Sequence, residues 1–441
     1  MSPPSSRSSG ILLLTNDLLL NASKTTYYLG AAFRRIGLRP FVRDTADARW
    51  FYDFMNTPEV QNAKDVGTLM ISSKFVPFLF YAGIDHMLSL DMHWLFPPES
   101  LLDVENLKHV YSLWYTDLRD VRSKISVSKE KKLCDTIANP KIRHYVTNAA
   151  RQREGELLGL PNVDRFQPAA PAEFLTFNHP CIYPDRIAFL GGPGTDEPPS
   201  LKAIDLIQKK APLQTLRYLS REEILNHSLL AEWKKIDPQI QNLIADTIEA
   251  KIHAPFESAL ELLHRAGKNH PLAFEKLQIN DVLLDAATLI KLAFRYDRPA
   301  LVYRLYSNGH LDVHDAPSEW LPYGIQAKPH IRSKELVAFY QSYIAHLNIP
   351  RWTREATLNE KLFEIAACGR VSFNLQNPDL ASCFDAPDEI VTAANEDELE
   401  FIIQNNLQHP DELLAKGENA RKKVALAHTW DHRLPNILLP A

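Results

Sequence analysis

The sequence predicts an α/β protein with two domains, each built around a parallel sheet. Near the amino terminus, Ile11 to Thr15, Lys24 to Ile36 and Arg39 to Arg43 follow the strand, amphipathic helix and strand pattern of a βαβ unit. Near the carboxyl terminus, the strand patterns Val371 to Asn374 and Glu389 to Thr392 alternate with helical patterns. Such alternation builds parallel sheets, because each parallel connection needs a crossover, usually a helix.

A segment rich in proline and glycine separates the two halves. Between residues 174 and 200 the chain carries five prolines and three glycines, which mark a linker and the opening of a second domain. We therefore predict a disordered tail over residues 1–10, a first domain over 11–180, a second domain over 181–425 and a terminal segment over 426–441.

The first domain is expected to be Rossmann-like. Further strands are predicted at Gly67 to Ser72, His86 to Leu90 and His109 to Trp114. The loop after the first strand lacks the glycine fingerprint that lets a backbone approach a pyrophosphate. The first domain is therefore expected to have no phosphate loop of its own.

The second domain is expected to contain a helical insertion over about residues 200–300. Helical patterns fill this region and few strand signals interrupt them, which is more helix than one crossover needs. The predicted helices are Ser220 to Trp233, Ile240 to Lys251, Phe256 to Ala266 and Val282 to Phe294. Ala300 to Tyr306 and Leu311 to His314 then resume the α/β pattern.

Composition limits the function classes. The 441 residues are 45% hydrophobic and 23% charged, as in an ordinary soluble protein, and the formal net charge of -5 gives no indication of nucleic-acid binding. No apolar run approaches the roughly 20 residues that span a membrane. The four cysteines are widely spaced and match neither a disulfide framework nor a zinc site. We expect a cytoplasmic protein with no membrane span and no metal site.

The stretch from Thr357 to Gly369 predicts one capped helix. Thr357 and Glu360 form a capping box, and Gly369 supplies a left-handed stop. Glu364 lies one turn beyond Glu360 on the same face. Because a helix start presents free amide groups, this one can hold a phosphate while Glu364 binds vicinal hydroxyls, such as those of a nucleotide ribose. A purely structural helix is the alternative.

Several segments of the carboxyl-terminal half occur in the order found in a known family. They are Ile344 to Ile349, Thr357 to Gly369, Asp388 to Val391, Asp397 to Leu399, Gly417 and His428 to Arg433. This set resembles the CgeB-like (spore maturation protein) glycosyltransferases, which have the GT-B fold. The resemblance implies an α/β fold of two Rossmann-like domains facing a cleft, with a carboxyl-terminal helix that crosses back to the first domain.

The resemblance also implies a function and a donor site. The expected reaction moves a sugar from a nucleotide-sugar donor to a sugar or protein-linked acceptor hydroxyl, with no metal and no cofactor. The donor-site residues that it implies are Glu364, Glu360, Lys361, Thr357, Asn359 and Arg351, with the glycine loop of Gly191, Gly192 and Gly194. Lys361 and Arg351 would stabilise the leaving diphosphate, or else pair with nearby carboxylates. A tight turn without a ligand is the alternative for the glycine loop.

An inverting transfer would need a general base on the first domain. Asp17 and Asp117, in loops at the ends of predicted strands, are the candidates, and capping of the following helix is their alternative role. The chain also departs from the family pattern, because Ala356 occupies the position eight before Glu364 where related transferases carry a second Glu. A non-catalytic binding or assembly protein with the same fold is therefore the alternative function.

Overall fold

The computed structural model describes residues 10–15, 22–44, 84–90, 109–114, 142–160, 162–195, 198–351, 355–356 and 358–438. The chain divides into two compact units. The first comprises Met1–Thr147, Gly155–Gln167 and Thr429–Ala441, and the second comprises Asn148–Glu154 and Pro168–His428.

Eleven strands form two sheets within the described residues, and every strand pair is parallel. The strands are β1 (Gly10–Thr15), β2 (Arg39–Asp44), β3 (Ile84–Leu90), β4 (His109–Trp114), β5 (Ile142–Val146), β6 (Val163–Arg165), β7 (Tyr183–Leu190), β8 (Leu311–His314), β9 (Tyr343–Leu347), β10 (Val371–Leu375) and β11 (Val391–Ala393).

The α-helices of the described residues are α1 (Ala22–Arg35), α2 (Ala149–Leu157), α3 (Leu201–Gln208), α4 (Leu213–Leu225), α5 (Ser228–Ile236), α6 (Ile240–His253), α7 (Ala259–Gly267), α8 (Pro271–Ile279), α9 (Leu283–Lys291), α10 (Asp297–Ser307), α11 (Pro317–Trp320), α12 (Leu336–Ser342), α13 (Glu360–Ala367), α14 (Glu396–Asn406), α15 (Pro410–Ala427) and α16 (Trp430–Leu438). Short 3-10 segments lie at Ala172–Thr176, Leu292–Phe294, Leu321–Tyr323, Ser333–Glu335 and Leu380–Ser382. None of these helices combines the length and the apolar character that crossing a bilayer requires.

The first unit has the strand order β2-β1-β3-β4-β5-β6. The predicted βαβ unit is confirmed as β1, α1 and β2, and Gly37 ends the helical segment with φ +86. The strand predicted at Gly67 to Ser72 lies outside the described residues. The last helix, α16, is part of this unit: Asp431 pairs with Arg35 at 2.7 Å, and Trp430 stacks on Phe166 with ring centroids 5.7 Å apart.

The second unit has the strand order β11-β10-β9-β7-β8. From β7 the chain passes to the edge strand β8 and then returns to β9 on the other side of β7. The connections of these two neighbouring strands therefore leave in opposite directions, which makes β7 and β9 a topological switch point. In open α/β sheets, ligands bind at such a point, beside the carboxyl ends of the strands.

Apolar side chains of the second sheet form its core. Ile187, Phe189, Val313, Leu347 and Phe373 are buried there in one hydrophobic cluster. Strands covered on both faces by helices have this continuous apolar character, and it is the reason the sequence pattern located β10.

The helical insertion is confirmed, since α3 to α9 fill the region between β7 and α10. One predicted helix, Ser220 to Trp233, is two helices in the structure. The helix is interrupted at Asn226 and His227. There His227 Nδ1 accepts a hydrogen bond from Leu229 N at 3.1 Å and caps α5. The predicted GT-B-like fold class, α/β with two Rossmann-like units, a helical insertion and a returning terminal helix, is confirmed.

Candidate functional site

The glycine loop lies at the carboxyl end of β7, at the switch point of the second sheet. Gly191 has φ +142 and Gly194 has φ +79, conformations that L side chains rarely adopt. Gly191 N donates to His314 O at 3.0 Å, and Trp320 Nε1 donates to Gly191 O at 2.8 Å. Hydrogen bonds with the backbone of β8 and with the Trp320 side chain of α11 thus fix the start of the loop.

Two of the predicted donor-site cations contact this segment. Lys361 Nζ donates to Leu190 O at 2.6 Å, and Arg351 Nε donates to Gly194 O at 3.2 Å. Lys361 comes from the first turn of α13, and Arg351 follows β9. The structure therefore brings Lys361, Arg351 and the glycine loop together at one edge of one sheet, although these residues are far apart in sequence.

A third cation, which the sequence analysis missed, lies closest to the glycines. A β-carbon on Gly191 would lie 2.9 Å from Arg298 Nη2 and 3.2 Å from Lys361 Nζ. A β-carbon on Gly194 would lie 2.9 Å from Arg298 Nη1 and 3.1 Å from Arg351 Cγ. The two glycines thus leave the space that the guanidinium group of Arg298 occupies.

Arg298 is buried but charged. Burial and, to a smaller extent, the nearby charge of Arg351 lower the pKa of Arg298 to about 10, against the opposing effect of Asp315 and Glu319. The guanidinium therefore keeps its proton at neutral pH. Its sequence context, Asp297-Arg298-Pro299 at the start of α10, contains no motif that indicates a ligand site.

An acidic side chain also approaches the loop. A β-carbon on Gly192 would lie 2.9 Å from Glu319 Oε2 on α11. The third glycine of the predicted site thus lies beside a carboxylate, whereas Gly191 and Gly194 lie beside cations. An anionic ligand is therefore favoured at Gly191 and Gly194 and disfavoured at Gly192.

The start of α13 differs from the predicted capping box. The helix begins at Glu360, and Asn359 is its N-cap, with Asn359 Oδ1 accepting from Leu362 N at 3.0 Å. Asn359 Nδ2 also donates to Asn348 Oδ1 at 2.9 Å. The predicted cap Thr357 lies outside the described residues. The prediction of the helix start was wrong because Asn359 both caps the helix and ties it to the loop after β9.

The end of α13 agrees with the sequence pattern. Gly369 has φ +69, Gly369 N donates to Ala366 O, and Arg370 N donates to Ile365 O. These two backbone bonds form the Schellman arrangement that a left-handed glycine permits.

Glu364 is buried, with a side-chain partner inside the second unit. The residue is 1% exposed, and Glu364 Oε2 accepts a hydrogen bond from Tyr340 OH at 3.0 Å. Burial and the adjacent Glu364 charge raise the pKa of Tyr340 well above its usual value, so the phenol stays a donor. A carboxylate has more lone pairs than the one that accepts from Tyr340, and these could accept hydrogen bonds from ribose hydroxyls. Ribose binding at Glu364 therefore stays a prediction. Such binding requires a movement that exposes the side chain.

The remaining predicted site residues are Glu360 and the two candidate bases. Glu360 is the first residue of α13 and is partly buried. The candidate bases Asp17 and Asp117 lie outside the described residues. In sequence they follow β1 by two residues and β4 by three. Across the residues that the structure describes, no group of three or more His, Cys, Asp and Glu side chains is arranged to hold a metal ion.

The arrangement favours an anion with more than one charge. Arg298, Lys361 and Arg351 line the stretch from Leu190 to Gly194. Guanidinium and ammonium groups bind phosphate oxygens by charge-assisted hydrogen bonds. A row of three cations beside a switch point therefore suits a diphosphate better than a neutral ligand.

Comparison with known proteins gives one family match. Residues 289–438 match the family model described as "Glycosyl transferase-like", and this segment includes Arg298, Arg351, Lys361 and Glu364. The match supports a glycosyltransferase family over about a third of the chain. A comparison with curated proteins finds no match.

Solved structures that are similar to this chain include the following three proteins. A sucrose-phosphate synthase from Thermosynechococcus elongatus is 12% identical, with 96% of each chain covered and a TM-score of 0.42. HepE of Anabaena, in complex with UDP and glucose, is 9% identical, with 97% of this chain and 98% of that chain covered and a TM-score of 0.44. A glycosyltransferase from Rickettsia africae is 9% identical, with 98% and 100% covered and a TM-score of 0.42.

Proposed function

We propose that the protein transfers a sugar from a nucleotide-sugar donor to an acceptor hydroxyl, and that its subfamily is CgeB-like. The observation that carries this proposal is the convergence of Lys361 and Arg351 on the glycine loop at the switch point of the second sheet. The match of residues 289–438 to a glycosyl transferase-like family supports it.

The donor would bind along the edge of the second sheet. The diphosphate would contact Lys361, Arg351 and the backbone of Gly191 and Gly194, and the helix start at Asn359 would add the positive end of its dipole. The ribose hydroxyls would bind Glu364, and we propose Glu360 and Thr357 as further donor-site residues. Positive groups at the diphosphate would stabilise the leaving group as its charge develops, which is the step that a glycosyl transfer must accelerate.

The acceptor side of the reaction rests on the first unit. We propose Asp17 and Asp117 as candidates for the general base that removes the acceptor proton. Asp17 follows the strand β1, which together with β3 forms the switch point of the first sheet. Replacing each residue by Asn should separate the candidates, because only loss of the true base lowers kcat while nucleotide affinity stays unchanged.

Cations at the diphosphate also lead us to propose transfer without a metal. Lys361 and Arg351 would provide the charge that a divalent ion provides in transferases with an Asp-x-Asp pair. Dialysis against EDTA should leave donor turnover unchanged. A loss of turnover that Mg²⁺ or Mn²⁺ restores would contradict this part of the proposal.

The cysteines bear on the cellular location. The four cysteines are widely spaced in sequence and match neither a disulfide framework nor a zinc site, and Cys368 and Cys383 are buried. Such a cysteine pattern suits a reducing compartment, so we propose a cytoplasmic protein.

The first test is binding and hydrolysis. Isothermal titration of the full chain with UDP, GDP, ADP and CDP should show binding of at least one nucleoside diphosphate. A screen of nucleotide sugars should then show slow donor hydrolysis with the matching base. Absence of binding to every nucleotide would contradict a donor site.

A second candidate function is a non-catalytic binding or assembly protein on the same fold. The observation that favours it concerns Glu355, which lies one residue from the spacing that related transferases use for a second Glu. Glu355 is 3% exposed and pairs with Arg151 and Lys291. Its carboxylate is therefore used in buried ion pairs. Nucleotide binding without turnover of any donor would support this candidate.

A further inference from the structure

The guanidinium of Arg298 differs from those of two other arginines in the second unit, Arg304 and Arg217. Arg298 is 9% exposed, yet among the described residues it has no hydrogen bond or ion pair, and its Nε atom is enclosed without a partner. Arg304, on the same helix, pairs with Asp397 at 2.8 Å and donates to Ala211 O at 2.7 Å. Arg217 pairs with Asp297 at 2.6 Å.

Neighbouring groups hold the Arg298 side chain in place without neutralising it. Its guanidinium lies 5.0 Å from the centroid of the Phe189 ring. Its terminal nitrogens reach the positions where Gly191 and Gly194 lack side chains. An aromatic ring attracts a cation, but its face does not satisfy the five N–H donors of a guanidinium. The group is therefore oriented toward the glycine loop with its donors unused.

The charges near Arg298 leave a positive excess. Lys361 Nζ and Arg351 flank the same two glycines. The carboxylates that act on Arg298, Asp315 and Glu319, make no ion pair with it within 4 Å among the described residues. A buried charge without a partner is unfavourable, and an anion with two phosphate groups would relieve it while binding the neighbouring cations as well.

We propose that Arg298 is a diphosphate-binding residue, which contacts the ligand from beneath the glycine loop together with Lys361 and Arg351. The inference rests on the proposed function for the identity of the ligand as a nucleoside diphosphate sugar. It adds a residue of α10, the helix that follows the helical insertion, to a site otherwise formed by the loop after β7, the loop after β9 and the start of α13.

The test is titration of the full chain with inorganic pyrophosphate and, separately, with orthophosphate. The wild-type protein should bind pyrophosphate more tightly than orthophosphate. Arg298→Met keeps an apolar stem against Phe189 and should weaken pyrophosphate binding by at least about tenfold, the effect of a lost charge-assisted hydrogen bond. Arg298→Lys should recover part of the affinity because it restores the charge without the fork.

Arg304→Met is the matched control. It removes a buried arginine from the same helix, so it should lower stability while leaving pyrophosphate affinity unchanged. Pyrophosphate should also raise the Tm of the wild-type protein and of Arg304→Met, and at the same concentration it should raise that of Arg298→Met less. A structural role for Arg298 would lower Tm without changing affinity, and this result would overturn the inference.

The outcomes separate this inference from the proposed function. If wild-type protein and Arg298→Met bind a nucleoside diphosphate equally well, the inference is wrong and the proposed function stands. If pyrophosphate binds in an Arg298-dependent way but no nucleotide sugar is turned over, the proposed function is wrong and the anion site stands. If the wild-type protein does not bind pyrophosphate at all, the inference is overturned.

Discussion

Two sets of buried charges in the second unit differ in how they are neutralised. In the first set, Glu154 pairs with Arg151 at 2.6 Å and with Lys291 at 3.2 Å, and Glu355 lies 3.5 Å from Arg151 and 3.7 Å from Lys291. In the second set, Arg298 lies under the glycine loop with no such partner among the described residues.

The comparison shows which charges serve the fold and which are available for a ligand. In the cluster of Arg151, Glu154, Lys291 and Glu355, two cations face two anions, and each ion compensates for the desolvation of its neighbours. Ser258 Oγ adds a hydrogen bond to Glu154 at 3.0 Å. This cluster ties α2, the insertion helix α9 and the segment before α13 into one body. Arg298 has no internal compensation, so its charge remains to be neutralised by an anion.

The largest expected effect tests the paired cluster. Glu154→Gln leaves Arg151 and Lys291 buried with one carboxylate fewer, so the free energy of unfolding should fall by about 3–5 kcal/mol. Urea unfolding followed by circular dichroism measures the change. Asp205→Asn is the control, since it breaks an ion pair of similar length, 2.7 Å, whose side chains are 69% and 56% exposed. That variant should lose less than about 1 kcal/mol. Equal losses in both variants would show that burial does not distinguish the two pairs.

The next effect concerns Lys251, a cation that borders the paired cluster. Burial lowers the pKa of Lys251 to about 8, although Glu355 and Glu154 oppose the shift and Lys291 and Arg151 add to it. The Lys251 ammonium donates to Pro255 O at 2.5 Å and to Glu257 O at 2.6 Å.

The sign of the pH dependence follows from linkage. The unfolded chain keeps the Lys251 proton up to pH 10.5 and the folded chain loses it near pH 8, so between these values the unfolded state binds more protons. Stability should therefore rise by about 2 kcal/mol from pH 8 to 10, relative to a Lys251→Met variant that lacks the group. A difference between the two proteins that stays flat across this window would show that Lys251 has an ordinary pKa.

A third prediction concerns the predicted ribose ligand. Glu364→Ala should weaken nucleoside diphosphate affinity by about 1–3 kcal/mol through lost hydroxyl bonds, measured by titration of the folded variant. Tyr340→Phe is the control, because it removes the 3.0 Å hydrogen bond to Glu364 and leaves the carboxylate in place. That variant should lose stability but keep its nucleotide affinity. Unchanged affinity in folded Glu364→Ala would assign Glu364 to the core alone.

Strands could be predicted from the sequence where their burial produces a recognisable pattern of apolar residues. The sequence located β8 at Leu311 to His314 and β10 at Val371 to Asn374, and the predicted strand Glu389 to Thr392 overlaps β11. β5 and β6 were missed for different reasons. The strand β5, Ile142–Val146, carries Arg143 and His144 in its middle, and β6, Val163–Arg165, is only three residues long. Their strand character comes from pairing with neighbours, which no local pattern records.

The candidate site was predictable only where a motif was present. Lys361 and Arg351 were found because they flank a helix with a family pattern, and the structure brings both to the glycine loop. Arg298 was missed because nothing in its sequence neighbourhood shows that Gly191, more than 100 residues earlier, leaves space for it. Tertiary packing creates its burial, so only the structure distinguishes it from Arg304 on the same helix.

The smallest expected effect comes from comparing two glycines with nearly the same φ angle. Gly194 has φ +79 and Gly309 has φ +82. A β-carbon on Gly309 would meet nothing within 4 Å, whereas one on Gly194 would lie 2.9 Å from Arg298 Nη1. Replacement by Ala should cost each about 1–2 kcal/mol of stability through left-handed strain.

Only Gly194→Ala should also weaken pyrophosphate binding, because its β-carbon displaces the guanidinium group from the loop. Titration of both variants with pyrophosphate measures this difference, and Gly309→Ala supplies the loss that strain alone causes. If Gly194→Ala binds pyrophosphate as tightly as Gly309→Ala, the space beside Gly194 serves the backbone and not the cation. Arg298 would then be a buried charge that the fold tolerates without a ligand.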